Sequence, residues 1–300
     1  MATFQTYTEV GIKENISDII ENISPRKTPF MSSIGSEKIH QPLFQWQEDS
    51  LRAVNGTAAA ANEGADPADI TVVPTVMRSN QSQIFVEAVK VAGTVQATLA
   101  YGRAKELAYQ MSKTSAALKR DLENAYVGTG QAGNVGSASS STARLMVGAQ
   151  AQIAAANTIN LGAAVALNES ALLTQLGVAY NAGADPTRIM ITPSNSIIIA
   201  AFAAASGRFR TFSGGKSNDI VNTVNLYVSP FGEQKVELNR FLKAKNTLIY
   251  EPEMWSQATF RPWTRETLAK TGDAEKQMII GEFSLKHKNF AASAQINDNT

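Results

Sequence analysis

Gly128-Thr129-Gly130-Gln131-Ala132-Gly133 matches, letter for letter, the glycine fingerprint that cradles a dinucleotide pyrophosphate. In that chemistry the glycines let the backbone approach the phosphates, and the helix that follows supplies its N-terminus to the negative charge. Here the context is reversed. The run ends a helical segment and leads into the Gly/Ser/Ala-rich stretch 128–142, which favours a structural turn over a cofactor site. Gly215-Lys216-Ser217 ends like a phosphate-binding loop, but Arg210 stands where the leading glycine belongs. Arg208, Phe209, Arg210, Phe212 and Lys216 make a basic-aromatic cluster that could touch nucleic acid. A solvated loop or an inter-subunit contact fits the same residues better.

Acid–base and metal chemistry find little support. The two histidines, His40 and His287, have no clustered carboxylates beside them. His287 falls on the apolar face of an alternating strand, which reads as a satisfied core residue more than as a proton-transfer group. Glu63, Asp66 and Asp69 could approach a hard cation, yet their spacing matches no calcium loop and suits a solvated tip. Cysteine is absent, which excludes disulfides and thiolate chemistry. The sequence therefore assigns no catalytic, cofactor-binding or metal-ligating residue, and the chain reads as a non-enzyme.

Three hundred residues, 44% of them apolar, can bury a sizeable core in two domains or one elaborated one. Charge is nearly balanced, 27 basic against 26 acidic. That argues against a dedicated nucleic-acid binder and suits a molecule lying beside many copies of itself. Neither a signal peptide nor a membrane span is visible, so synthesis in the cytoplasm is expected.

The elements that must position these residues are unusual. Ala100, Ala104, Leu107, Met111, Leu118, Leu122 and Ala125 recur at helical steps, with Ser115 in the missing turn. One long helix is predicted from about Ala97 to Val127, roughly 45 Å at 1.5 Å per residue, with Gly128 as its stop. Its narrow, small-sided seam suits a shallow sheet or a neighbouring chain. Before it, 43–51 and 83–91 carry the aromatic and β-branched residues of two strands. They flank the apolar-poor stretch 53–69, and a projecting hairpin is predicted, with Phe44, Trp46, Phe85 and Val86 as contacts to a neighbouring subunit. Ile16, Ile19, Ile20 and Ile23 sit at i, i+3, i+4 and i+7, a helix too short to stand alone. Pro25 ends it. That arm could pack on its own domain or dock on a neighbour.

Further on, Asn168 caps a helix closed by Gly183, 188–192 reads as a buried strand, and Pro193 opens another helix. The last third is β-rich, with candidate strands at 221–228, 235–238, 247–250, 257–263 and 278–290. The small apolar stretch 149–167 has no assignment.

Several landmarks recur together and in order. They are Gly11-Ile12-Lys13-Glu14-Asn15-Ile16-Ser17-Asp18-Ile19-Ile20, then Ser24-Pro25 and Thr28-Pro29-Phe30; Gln45-Trp46-Gln47-Glu48-Asp49-Ser50-Leu51; Arg261-Pro262-Trp263; and Leu268 to Asp273 with Glu275-Lys276. In these the sequence resembles the major capsid proteins of tailed bacteriophages, whose shell fold is shared with herpesvirus capsids and bacterial nanocompartments. The resemblance implies an α+β fold with an N-terminal arm at 1–36, an extended β-hairpin loop at 37–93, and a peripheral domain with a spine helix at 94–167. An axial domain at 168–250 and the C-terminal peripheral strands at 251–300 would complete it. It further implies pentamers and hexamers that close an icosahedral shell around packaged double-stranded DNA, held by weak, non-specific contact. Partners would be other copies of the chain, a portal protein and a separate scaffolding protein, and the location the virion. The alternatives are a nanocompartment shell protein, a tail or adhesion protein, and more remotely a nucleotide-binding enzyme.

Overall fold

The computed structural model describes residues 26–52, 54, 60, 62–66, 69, 72–98, 105–162, 165–205 and 226–297. The elements run α1 (Pro29–Ser33), β1 (Gly35–Lys38), β2 (Leu43–Glu48), β3 (Val76–Gln81), β4 (Gln83–Ala92), α2 (Gly93–Ala97), α3 (Glu106–Val127) and α4 (Ala149–Gln152). There follow β5 (Thr158–Asn160), α5 (Glu169–Asn181), β6 (Arg188–Ile191), α6 (Pro193–Ala205), β7 (Leu226–Ser229), β8 (Gly232–Leu238), β9 (Asn246–Tyr250), β10 (Trp255–Thr267), β11 (Ala274–His287) and β12 (Ala294–Asn297). Two compact units divide the chain: Met1–Lys27, Val86–Leu118 and Thr264–Ile280 in one, and Thr28–Phe85, Lys119–Trp263 and Gly281–Thr300 in the other.

The larger unit is built on a six-stranded sheet in the order β5-β12-β9-β6-β8-β7. β6 pairs parallel with β8 and antiparallel with β9, and β12 joins β9 antiparallel and β5 parallel. Alternation along the strands sends Ile189, Ile191, Val236, Tyr227, Ile249 and Ile296 into one core with Leu172 and Leu176 of α5 and Ile199 of α6. Asn168 caps α5, its side chain accepting from the Ala171 N–H at 2.8 Å, and Gly183 supplies the left-handed exit at φ +91°.

The long helix is shorter than its seam suggested. α3 has 22 residues, about 33 Å. The separate α2 ends where Thr98 leaves helical geometry (ψ 136°) and its hydroxyl donates back to the Thr94 carbonyl at 2.8 Å. Ala100, Gly102 and Ala104 lie outside the described residues. The seam itself is buried at Leu107, Met111, Leu118, Leu122 and Ala125, and deepest at the C-terminal end, where Tyr126 and Val127 are fully covered. A shallow packing surface is therefore the wrong description of that last turn, and Ser115 is exposed.

The predicted pairing of 43–51 with 83–91 is also corrected. β2 pairs antiparallel with β3, Leu43 opposite Gln81 and Glu48 opposite Val76. β4 belongs to a different sheet, of order β1-β10-β11-β4. In the smaller unit the Gly93 N–H reaches the Asp273 carbonyl at 3.1 Å and Leu268 N–H the Lys276 carbonyl at 2.9 Å, while the Gln96 side chain accepts from the Leu107 N–H at 3.3 Å.

Candidate functional site

The β2–β3 ribbon is marginal as two strands alone, and its root is fastened to residues 284–290. Phe44, Trp46 and Glu48 share one face of β2 with Arg78 and Asn80 of β3. Trp46 stacks on Phe44, ring centroids 5.5 Å apart, and meets Phe290 at 6.3 Å. The Arg78 guanidinium lies 4.3 Å over the Phe290 ring while its Nε donates to Glu48 at 2.8 Å. Buried Asn80 donates to the Val147 and Leu285 carbonyls and accepts the Val147 N–H at 2.8 Å. The Ser284 hydroxyl closes the contact on the Gln81 carbonyl at 2.7 Å.

The opposite face of the ribbon has no large partner among the described residues. Leu43 and Met77 are each 54% exposed. Of the predicted contact residues, Trp46 and Phe85 are already buried, Phe85 against Trp263. Phe44 is half-buried and Val86 exposed. The structure does not bring the four into one patch, since Phe44 and Trp46 lie on β2 and Phe85 and Val86 on β4. Ile16, Ile19, Ile20 and Ile23 lie outside the described residues, as do Arg208, Phe209, Arg210, Phe212 and Lys216.

Two buried carboxylates organise the larger unit. Glu123, in the last turn of α3, accepts the backbone N–H groups of Phe30 and Met31, both at 2.8 Å, and the Asn239 side-chain amide at 2.6 Å. Burial raises its pKa above the ordinary carboxylate value, against the lowering effect of those bonds. Glu282 takes Arg144 on one oxygen with the Ser82 hydroxyl at 2.6 Å, and Arg261 Nε on the other at 2.9 Å. A buried carboxylate with both oxygens engaged by arginines has its charge compensated. Neither carboxylate is announced by its local sequence. An acid in the last turn of a helix, where the macrodipole disfavours it, was the one signal for Glu123.

His287 is fully buried, stacked on Trp255 with centroids 3.9 Å apart and planes 5° from parallel. The Trp255 indole, a donor only, is bonded to Ser293 Oγ at 3.0 Å. The Gln152 carbonyl, 3.3 Å from Nδ1, can only accept, so Nδ1 carries the proton and the Ser293 hydroxyl donates to Nε2 at 3.1 Å. The ring is thus neutral with its proton on Nδ1, and burial pushes its pKa down to about 3. His40 is exposed. No three His, Cys, Asp or Glu side chains converge among the described residues, and no helix among them is long and apolar enough to cross a membrane.

The glycine fingerprint has a packing explanation. A Cβ on Gly128 would lie 2.4 Å from the Phe241 carbonyl oxygen, and one on Gly133 2.7 Å from a Val147 methyl. Gly130 takes φ +58° beneath the Lys243 side chain. The run follows α3 and enters a loop bridged at Asn134–Leu145 and Ser137–Thr142. Chain crosses chain here, with no strand before and no helix after.

Comparison with known proteins agrees over the whole length. A family model described as SU10 major capsid protein matches residues 1–300. The major capsid protein of Escherichia phage Phieco32 is 31% identical over 342 residues, covering 97% of this chain and 95% of that one. Among solved structures, the cyanophage A-1(L) capsid aligns with a TM-score of 0.72 at 12% identity over 99% of this chain and 100% of that chain. The capsid of a native GTA particle aligns at 0.66 and 13%, over 98% and 97%. The SrpI encapsulin of Synechococcus elongatus aligns at 0.62 and 9%, over 99% and 96%. At such identities the structural matches establish a shared α+β shell fold.

Proposed function

The chain belongs to the SU10 major capsid protein family, and from that premise we propose that it assembles as pentamers and hexamers into a closed icosahedral shell around double-stranded DNA. The family match fixes the coarse role, a structural protein of the phage capsid. The observation that carries the finer reading is the β2–β3 ribbon, rooted on Phe290 on one face while Leu43 and Met77 stand exposed on the other. A ribbon braced on one side has the form of an extended loop laid against a neighbour.

In the same reading residues 168–250, with α5, α6 and β6 to β9, are the axial domain, and 94–167 with α3, together with the strands of 251–300, are the peripheral domain. The isoleucine arm, Phe44 and Val86 contact adjoining subunits, whereas Trp46 and Phe85 have little surface left to give. A separate scaffolding protein and a portal are the expected partners, and the protein is made in the host cytoplasm before it enters the virion. Its role is architectural: packing accounts for the glycine fingerprint, and His287 is committed to structural hydrogen bonds.

Negative-stain imaging and sedimentation of the purified chain, alone and with its scaffold, test the proposal. Capsomers, shells or tubes are expected above a threshold concentration. A strictly monomeric folded protein under every condition would overturn it, and shells loaded with an enzyme cargo would turn the reading toward a nanocompartment.

A further inference from the structure

Residues 119–131 and 239–246 meet at the C-terminal end of α3. The Lys243 N–H donates to the Val127 carbonyl at 2.9 Å, the Arg120 guanidinium lies over the Phe241 ring at 5.7 Å, and the Lys243 side chain passes over Gly130. These contacts bring Arg120 and Lys243 to one corner, and Lys119, Arg240 and Lys245 neighbour them in sequence, so that the two segments carry five cations. The acids of these two segments are Asp121 and Glu123, and Glu123 is buried and engaged with Phe30, Met31 and Asn239.

None of the five cations is in an ion pair among the described residues. Lys119, Arg240, Lys243 and Lys245 are exposed, and Arg120 Nε is buried with no acceptor. Lys245 holds φ +60°, a left-handed geometry uncommon outside glycine, in a turn closed by the Asn246 N–H on the Lys243 carbonyl at 3.1 Å. Helix-end carbonyls attract cations, but Val127 already receives Lys243 N–H and the Gln150 side chain. The charged heads remain available.

We infer that this cationic corner binds the phosphate backbone of nucleic acid and is the surface each subunit turns toward packaged DNA. The inference rests on the shell reading above. Lysines and a ring-stacked arginine on a turn and a helix end contact phosphates and carry no base readout, so binding is independent of sequence. Five cations cap the log–log salt slope at about −4 to −5. One copy binds weakly and many copies in a shell bind together, which lets DNA slide while the near-neutral chain keeps its solubility.

The test uses the full chain, a duplex of random sequence and fluorescence anisotropy across a range of salt. Combining Arg240→Gln, Lys243→Gln and Lys245→Asn should weaken binding at least tenfold at low salt and flatten the slope by about 2 to 3. Asn suits the left-handed position, and exposed swaps of this kind leave folding intact. Lys90→Gln with Lys270→Gln, two exposed lysines elsewhere, should change neither quantity. Unchanged affinity and slope in the triple variant, or an equal loss in the control, would overturn the inference. Electron microscopy of the same samples separates the two readings. A wild type that never forms shells defeats the assembly proposal, whereas shells whose DNA binding ignores the triple substitution defeat only the cationic corner.

Discussion

The Glu123 carboxylate accepts the Phe30 backbone N–H at 2.8 Å across 93 residues of chain. Pro29 opens α1, so the amides of Phe30 and Met31 are among the donors a helix start leaves without intrahelical partners. Glu123 supplies the acceptor from the last turn of α3. Phe30 is thereby seated among Tyr126, Tyr250 and Trp255, with centroids 5.4 to 6.3 Å away and no surface exposed. Residues 30 and 31 are thus held by one carboxylate and one seated ring.

Glu123→Gln should loosen that clamp. The amide keeps one acceptor and turns its NH2 toward a donor, leaving at least one buried group unpaired at about 1–3 kcal/mol. Urea midpoints should fall accordingly, Glu123→Ala further, and limited proteolysis should cut faster within 26–34. An unchanged midpoint and an unchanged cleavage pattern would show that the carboxylate contributes nothing.

His287 and Glu123 give opposite pH dependences. His287 has a folded pKa of about 3 against an ordinary 6.5. As pH falls from about 6.5 toward 3 the unfolded chain takes up the proton first, and stability is lost at up to about 1.4 kcal/mol per pH unit. Glu123 has a raised folded pKa, so its contribution is largest in acid and declines as pH rises above about 4.5 through the folded value. Melting temperature against pH should show the first slope flattened in His287→Asn and the second in Glu123→Gln. The same profile in wild type and His287→Asn would contradict the buried neutral ring.

The contrast between what could and could not be read from the sequence follows from these contacts. Leu107, Met111, Leu118 and Leu122 announce α3 because apolar periodicity is local. β3 stayed hidden because its inward positions are Arg78 and Asn80, polar residues whose partners, Glu48 and the Leu285 carbonyl, lie 30 and 205 residues away. The pairing of 43–51 with 83–91 went wrong for the same reason: β4 has the better strand composition, but β3 has the partners. Glu282 gave no local sign, because Arg144 and Arg261 reach it only in the fold. Long-range polar pairing leaves no period in a sequence.

Gly128→Ala tests the packing account of the fingerprint. The added methyl would press on the Phe241 carbonyl oxygen at 2.4 Å, a backbone atom that cannot swing aside, and overpacking of this kind costs about 1–3 kcal/mol. The variant should melt lower than wild type, and dinucleotides should shift the melting temperature of neither protein. A ligand-induced rise in the wild type that Gly128→Ala abolishes would restore the cofactor reading.

The outward face of the ribbon should matter to assembly and little to folding. Leu43 and Met77 retain about half their surface, so full burial against a neighbour would contribute about 1 kcal/mol each, repeated at every subunit. Leu43→Asp and Met77→Asp should therefore prevent shell formation while leaving circular dichroism and melting temperature unchanged. Ile19→Asp in the N-terminal stripe should behave in the same way. Hydrogen exchange across 43–48 and 76–81 should be fast in free subunits and slow in shells, because two strands joined on one side stay open until another chain covers them. Equal protection in both states, or unfolding of the monomer by either ribbon substitution, would mean that these positions are packed within the chain and that the contact between subunits lies elsewhere.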